Sequence, residues 1–291
     1  MGLSGLIPDA IRTNTFANAL VRAVRHAAAD NLSFIAGGVA FFGFLSIFPA
    51  IAAAVMVWGR FAEPEAIGTR LQPLSRAMPD SAFEVIRDQL VAIASSSPAN
   101  LTFGALVALL LAFWSAAKGA RALIAAMNIS YAESESRGFI QSNLLALAFT
   151  LGGIVYGLIS LALMGVLPAL LAAIQLGAWA TVAIEAGRWL LAVLLFSSGL
   201  CLVYRFAPDR APVHWRWILP GAVLATGLWM AASWAFSLYV SNIADFNATF
   251  GALGSVAVLM FWMWISAFIV CFGAVVNAEL EPRERGEAMV T

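Results

Sequence analysis

VAVLMFWMWISAFIVCFGAVV, residues 256–276, contains no charged side chain. A helix rises about 1.5 Å per residue, so about 20 apolar residues cross the roughly 30 Å of hydrocarbon in a bilayer. Apolar and polar residues do not alternate in this stretch, which argues against a barrel strand. Because backbone N–H and C=O groups in lipid must bond within their own segment, the stretch predicts a membrane-spanning α-helix.

The whole chain shares this apolar character. Of its 291 residues, 62% are hydrophobic and 11% are charged, and the mean hydropathy is +0.89. Soluble domains have roughly 45–50% apolar and about 25% charged residues. Six runs are long enough to cross a membrane, and they predict an all-α polytopic membrane protein with a six-transmembrane-helix bundle: 34–58, 101–120, 141–167, 189–206, 217–240 and 253–276.

The basic residues set the predicted orientation, because cytoplasmic loops carry an excess of Lys and Arg. Five of the 16 fall in the loop after the first span or beside the fourth span. The other eleven share the opposite side: Arg12, Arg22, Arg25, Lys118, Arg121, Arg137, Arg205, Arg210, Arg216, Arg283 and Arg285. We therefore expect both termini in the cytoplasm. The formal net charge is zero, so nucleic acid is not an expected partner.

Residues 1–33 are predicted to form a cytoplasmic N-terminal segment. Ile11, Leu20 and Val24 lie among basic residues in it, a pattern typical of a short amphipathic helix on the cytoplasmic leaflet. A solvated tail is the alternative interpretation.

The membrane domain is predicted to cover residues 34–280, and residues 281–291 form a cytoplasmic tail. Its outer loop, 60–99, contains PDSAFEVIRDQLVAIA, in which apolar residues recur at spacings of three and four. This spacing predicts a helix in the outer loop.

One polar break, DFNATFGALGS at residues 245–255, separates the last two apolar runs. Asp245, Asn247 and Thr249 alternate in it. One interpretation is a tight outer turn, in which these side chains bond backbone groups and cap the last helix. The other is a substrate-binding cluster of oxygens that holds a cation or a sugar or phosphate headgroup. The predicted orientation places the break on the outer side.

A second candidate binding cluster lies near the end of the second span. Lys118, Arg121 and Asn128 fall at spacings that place them on roughly one helix face. Two cations and an amide on such a stripe could hold an anionic lipid headgroup. Ordinary snorkelling of the cations at a helix end explains the same pattern.

Two backbone features suggest how the spans pack. Pro49 deprives the Leu45 carbonyl of its helical partner, which predicts a kink, with Ser46 close enough to bond that carbonyl; a broken helix lining a substrate path is the alternative. Gly153 and Gly157 have the spacing that lets two helices approach closely. The same spacing recurs at Gly221 with Ala225 and at Gly273 with Asn277.

Five runs of the sequence form a distinctive series: AGGVAFFGFLSIFPAI (36–51), FWSAAKGARALIAAMNISYAESESRGF (113–139), YRFAPDR (204–210), WRWILPGAVLATGLWMAASWAFSLYVSN (215–242) and FNATFGALGSVAVLMFWMWISAFIVCFGAVVNAELE (246–281). Taken in order, they resemble the YihY/virulence factor BrkB family, whose older name is ribonuclease BN. The resemblance covers roughly residues 20 to 281. It implies a six-helix protein of the bacterial inner membrane with cytoplasmic termini, and it leaves the function open.

The nuclease name is not supported by the chemistry of the side chains. Phosphodiester hydrolysis usually needs clustered carboxylates or histidines that hold metal ions. The chain has two histidines, His26 and His214, far apart in sequence, and its acids are scattered. Cys201 and Cys271 lie in apolar runs, so neither a disulfide nor a zinc site is expected. We therefore expect no enzyme activity, catalytic residue, metal or cofactor.

The function predicted from these features is transport or lipid handling in the envelope, of the flippase or exporter kind, with membrane lipids as partners. The alternative is a non-transporting membrane scaffold that supports another envelope complex, such as a serum-resistance or virulence factor. The sequence leaves open whether the chain forms a homo-oligomer.

Overall fold

The computed structural model describes residues 15–61, 98–172, 178–211, 213–242 and 252–281. In these ranges seven α-helices occur and no residue lies in a β-strand, which confirms the all-α fold. The helices are α1 (Thr15–Ala29), α2 (Leu32–Phe61), α3 (Pro98–Ser130), α4 (Phe139–Ala172), α5 (Ala178–Phe206), α6 (Trp215–Asn242) and α7 (Ala252–Leu280). Most of the predicted outer loop at 60–99, the break at 245–251 and the tail beyond 281 lie outside the described residues.

Helices α2 to α7 contain the six predicted spans and are 28 to 34 residues long. Among the described residues, four segments are long and apolar enough to cross a membrane: Phe139–Ser160, Ala186–Phe206, Trp215–Val240 and Val256–Leu280. The count rises to five if α1 and the first part of α2, bent by 70° at their junction, form one span. Membrane-spanning helices are thus confirmed, while the number six stays a prediction.

Helix α1 confirms the predicted amphipathic helix but buries a different face. Ala19, Ala23 and Ala27, four residues apart, are buried, and α1 packs against α7. Leu20 is half-buried against the core, whereas Val24 is 55% exposed. Small alanines allow a close approach of two helices, which a row of leucines would prevent. Contact of α1 with a lipid leaflet stays a prediction.

The described chain forms two compact units. One contains residues 15–41 and 120–281, and the other contains residues 42–61 and 98–119. In the first unit, α7 packs on α6 and α1, and α5 packs on α6 and α4. Its largest fully buried side chains include Tyr204, Leu32 and Met127. In the second unit, a Cβ at Gly119 would lie 3.7 Å from the Phe42 carbonyl oxygen.

The predicted close helix contacts occur at only some of the expected glycines. A Cβ at Gly221 would overlap the carbonyl oxygen of Gly273, so α6 and α7 meet backbone to backbone. At Gly153 and Gly157, by contrast, a Cβ would meet nothing within 4 Å. The close approach predicted for these two glycines of α4 is therefore wrong for the described chain. Glycine spacing identifies a face that permits contact, and the partner helix decides whether contact occurs.

Helix α2 continues through residue 49. The hydroxyl of Ser46 donates to the Gly43 carbonyl oxygen at 2.6 Å. The expectation that Ser46 would bond the Leu45 carbonyl is therefore wrong, because a serine in a helix reaches the preceding turn. The kink at Pro49 stays a prediction.

Candidate functional site

One end of the first unit carries a polar cluster, which we call the polar cap. It forms where α3, α5 and α7 end and where α4 and α6 begin. Hydrogen bonds, ion pairs and a ring contact join its members into two networks, which adjoin at the consecutive residues Asp209 and Arg210. The members are Asn128, Tyr131, Glu135, Ser136, Arg137, Asp209, Arg210, Asn277 and Glu281.

Asn277 is the most buried residue of the polar cap. Its side chain lies on α7 and is 1% exposed. Its Oδ1 accepts the Gly221 N–H at 2.7 Å, and its Nδ2 donates to the Ile218 carbonyl oxygen at 3.0 Å. Both groups belong to the first turns of α6, on either side of Pro220. Proline interrupts the backbone bonding of a helix. The amide of Asn277 therefore hydrogen-bonds backbone groups of α6 on both sides of Pro220 and joins α6 to α7.

Tyr131 extends this contact to the end of α3. Its hydroxyl oxygen accepts Asn277 Nδ2 at 3.3 Å, and the Arg210 guanidinium lies 3.7 Å from its ring centroid. Arg210 Nη1 in turn donates to Glu281 Oε2 at 2.5 Å. Burial raises the pKa of Tyr131 to about 12, so the phenol stays neutral at physiological pH. A cation held over a ring face and paired with a carboxylate is a stabilising arrangement.

Asp209 joins the loops that follow α3 and α5. Its carboxylate accepts the N–H and the hydroxyl of Ser136, each at 2.6 Å, and pairs with Arg137 at 3.1 Å. The two bonds from Ser136, followed by the charge of Arg137, hold the pKa of Asp209 below its ordinary value. The Asp209 N–H donates to Asn128 Oδ1 at 2.7 Å, while Asn128 Nδ2 donates to Glu135 at 2.8 Å. The two loops are therefore bound as one layer.

An apolar groove of about 570 Å³ lies between α4 and α5. Leu202 and Phe206, at one end of it, are 40% and 52% exposed, so the groove opens on the outer face of the two helices. The Tyr156 hydroxyl, among the few polar atoms of the lining, donates to the Leu195 carbonyl oxygen. The lining residues are Leu145, Ala148, Phe149, Gly152, Gly153, Tyr156, Leu195, Phe196, Gly199, Leu200, Leu202, Val203 and Phe206.

Comparison with known proteins fixes the family. A family model described as virulence factor BrkB matches residues 23–289. The chain belongs to the BrkB family. Among curated relatives, the ribonuclease-like protein YfkH of Bacillus subtilis is 32% identical over 194 residues, covering 64% of this chain and 67% of YfkH.

Other relatives match a shorter segment. A UPF0761 membrane protein of Tolumonas auensis is 34% identical over 91 residues, 31% of this chain and 30% of its own length. A UPF0761 membrane protein of Vibrio cholerae is 32% identical over 97 residues, 33% of this chain and 32% of its own length. The chain thus matches about two-thirds of the length of YfkH and about a third of the length of these two UPF0761 proteins. No solved structure gives a significant match. With its apolar helices, the chain is a membrane protein of the BrkB family.

The three residues of the predicted lipid stripe have different neighbours in this BrkB-family chain. Asn128 is 4% exposed and directs its amide into the polar cap. Arg121 donates to Asn143 Oδ1 at 2.8 Å. Lys118 belongs to the second unit, where its Nζ lies 3.7 Å from the Trp114 ring centroid. A shared headgroup site on these three residues stays a prediction. Asp245, Asn247 and Thr249 lie outside the described residues.

Sequence reasoning missed both the polar cap and the groove. A signal for the cap was present, because Asn277 is an amide at the end of an apolar run and the YRFAPDR stretch contains Asp209 and Arg210. A signal for the groove was also present in Gly152, Gly153 and Gly199, which leave room on α4 and α5. Within the described part of the chain, no three His, Cys, Asp or Glu side chains are grouped to hold a metal ion.

Proposed function

We propose that this BrkB-family protein handles membrane lipids, as a flippase or exporter does, and that the groove between α4 and α5 receives an acyl chain. The observation that carries the proposal is the groove itself. Its walls belong to Phe139–Ser160 and Ala186–Phe206, two segments suited to lie in hydrocarbon. An apolar recess inside a bilayer gives a hydrocarbon chain a path beside the protein. Its volume falls in the range of roughly 300–1,000 Å³ typical of small-molecule sites.

The polar cap supports the proposal from one end of the groove. Phe206 lines the groove, and the next residue, Ala207, offers its carbonyl oxygen to Arg137 of the cap at 3.1 Å. A hydrogen-bonded layer thus adjoins the apolar recess. A lipid could therefore place its acyl chain in the apolar groove and its polar headgroup beside the polar cap.

The proposal is tested by reconstituting the purified protein into liposomes that carry a fluorescent phospholipid in both leaflets. Dithionite added outside bleaches only the outer leaflet unless lipids cross the bilayer. We expect bleaching of the inner-leaflet lipid with wild-type protein. Gly153→Leu should slow it at least about fivefold, because a side chain at this open position fills the groove.

Gly157→Leu is the matched control. Gly157 lies one turn further along α4, has equal space at its Cβ, and is not part of the groove lining. It should move lipid like wild type. Wild-type bleaching equal to that of protein-free liposomes would overturn the proposal. Recovery of one dominant partner by crosslinking would then favour the scaffold function.

We also propose a bacterial inner-membrane location with both termini in the cytoplasm. The excess of basic residues in the gaps on that side supports this orientation. The bacterial sources of the relatives support the bacterial location. A fluorescent protein that folds only in the cytoplasm, fused after Thr291, should fluoresce. Alkaline phosphatase fused at the same position should be inactive, and the reverse pattern would refute the orientation.

We further propose that the protein acts without enzyme activity, cofactor or nucleic acid. The ribonuclease-like name belongs to YfkH, whereas the two histidines of this chain are far apart in sequence. Purified protein incubated with labelled RNA and Mg²⁺, Mn²⁺ or Zn²⁺ should leave the RNA intact. Cleavage that co-purifies with the protein through two columns would contradict this.

A further inference from the structure

Arg205 lies in the last turn of α5, beside the end of the groove. Its guanidinium carbon is 5.7 Å from the ring centroid of Phe206, which lines the groove, and 4.8 Å from that of Trp215. One of its N–H groups donates to the Val213 carbonyl oxygen. No carboxylate within the described ranges pairs with Arg205. Its charge therefore lacks a neutralising partner there.

The nearby arginines of the polar cap differ from Arg205 in this respect. Arg137 pairs with Asp209 at 3.1 Å, and Arg210 pairs with Glu281 at 2.5 Å. The cap thus neutralises its own cations. Of Arg137, Arg205 and Arg210, only Arg205 has no carboxylate partner among the described residues, so its charge is available to pair with a bound anion.

A second apolar hollow, of about 450 Å³, lies along α6 and α1. It is lined by Phe16, Leu219, Pro220, Val223 and Leu224. Leu219 follows Trp215 by one helical turn on α6. The two aromatic neighbours of Arg205 therefore lie near different recesses. Phe206 lines the groove, and Trp215 lies one helical turn before Leu219 of the second hollow.

We propose that Arg205 binds the phosphate of an anionic glycerophospholipid, with one acyl chain in the groove and the other in the α6 hollow. This rests on the proposed lipid-handling function and adds the substrate class. A guanidinium presents a fixed fork of donors that matches phosphate oxygens. A cation beside one apolar recess and about one helical turn from another matches a molecule with one anionic group and two hydrocarbon chains.

The test is equilibrium binding of two fluorescent lipids to detergent-solubilised protein, followed by fluorescence anisotropy. The probes are phosphatidylglycerol and diacylglycerol, which share their acyl chains but differ in the anionic headgroup. Arg205→Gln should weaken phosphatidylglycerol binding about fivefold and leave diacylglycerol binding unchanged. Glutamine keeps an N–H donor for Val213, so the fold should be retained, which a single symmetric peak in size-exclusion chromatography checks.

Two further variants complete the test. Arg205→Lys keeps the charge and should bind phosphatidylglycerol within about threefold of wild type. Arg188→Gln makes the same charge change in the first half of α5, away from the groove lining, and should bind both lipids normally. Unchanged phosphatidylglycerol binding by Arg205→Gln would overturn this inference while leaving the lipid function intact. Failure of the wild type to bind either lipid, together with absence of lipid movement, would overturn both.

Discussion

At the scale of the residue, Asn277 shows how a single amide joins two helices. Its two polar atoms bond backbone groups of α6 at Gly221 and Ile218, and it also bonds the Tyr131 hydroxyl. The side chain is buried, so water offers no substitute for these partners. A buried polar group left without its partner costs about 1–3 kcal/mol. Asn277 is therefore a position where a small change affects three helices.

Asn277→Ala should lower the free energy of unfolding by about 2 kcal/mol, because the α6 groups and the Tyr131 hydroxyl lose their shared partner. The measurement is the unfolding midpoint in detergent. Asn143→Ala is the control, because Asn143 is half-buried and its side chain bonds Arg121 and one helix carbonyl. Its loss should stay below about 1 kcal/mol. Equal losses in the two variants would contradict the role assigned to Asn277.

Tyr131 should make the protein sensitive to alkali. In the folded chain its pKa is about 12 because burial disfavours the phenolate, whereas the unfolded phenol ionises near 10. Below pH 10 the phenol of Tyr131 is protonated in both the folded and the unfolded state, so the stability that burial of the neutral phenol provides is fully present. Between pH 10 and 12 the unfolded state loses its proton first, so stability falls, on the order of 2 kcal/mol. Tyr131→Phe should show a shallower decline over this interval, and identical slopes would refute the assignment.

At the scale of the element, the contact of α6 with α7 depends on two glycines. A Cβ at Gly221 would overlap the Gly273 carbonyl oxygen, and a Cβ at Gly273 would overlap the Tyr204 hydroxyl oxygen and press on Ala225. Glycine lowers helix propensity by about 1 kcal/mol relative to alanine. At these two positions the close approach outweighs that cost, because it brings Asn277 within bonding distance of the α6 backbone.

Gly221→Ala and Gly273→Ala should each destabilise the protein by at least about 2 kcal/mol, because backbone cannot yield to the added methyl group. The yield of monodisperse protein and its unfolding midpoint measure the effect. Gly227→Ala, on the same α6, is the control because a Cβ there meets nothing within 4 Å. It should be neutral or slightly stabilising. Tolerance of Gly221→Ala would mean that the two helices do not meet as described.

At the scale of the whole molecule, the first and last described helices are joined. Arg22 Nε donates to Glu279 at 2.6 Å, and His26 Nδ1 lies 2.8 Å from the same carboxylate. Glu279 is only 13% exposed, whereas Arg22 is 51% exposed. The carboxylate on α7 therefore holds α1 beside the core, with the alanine face of α1 buried beneath these bonds.

Glu279→Gln should release α1 part of the time, because the amide pairs with Arg22 and His26 more weakly than the carboxylate does. Trypsin cleavage after Arg22 and Arg25 should then accelerate about tenfold, as expected for losing charged hydrogen bonds worth about 1.5 kcal/mol. Glu133→Gln changes an exposed acid that has no side-chain partner in the described residues and should leave the cleavage rate unaltered. An unaltered rate in Glu279→Gln would show that the alanine face alone holds α1.

The sequence predicts much of the architecture. Each predicted span lies within an observed helix, and α1 lies within the predicted amphipathic segment. The contacts of the candidate residues, by contrast, could not be predicted from the sequence. The sequence places Asn128 on a helix stripe, yet its amide oxygen accepts the N–H of Asp209, which is 81 positions away along the chain. Gly153 and Gly221 had the same local signal, but only Gly221 meets a partner helix.

The sequence by itself determined where the helices run, because a backbone in hydrocarbon must satisfy its polar groups within each apolar segment. Only the tertiary structure decided which helices meet. It set Asn277 against Tyr131 across 146 positions of sequence and opened a groove between α4 and α5. Such pairings depend on the shape and polar atoms of the facing surfaces, and local apolar periodicity carries no information about them.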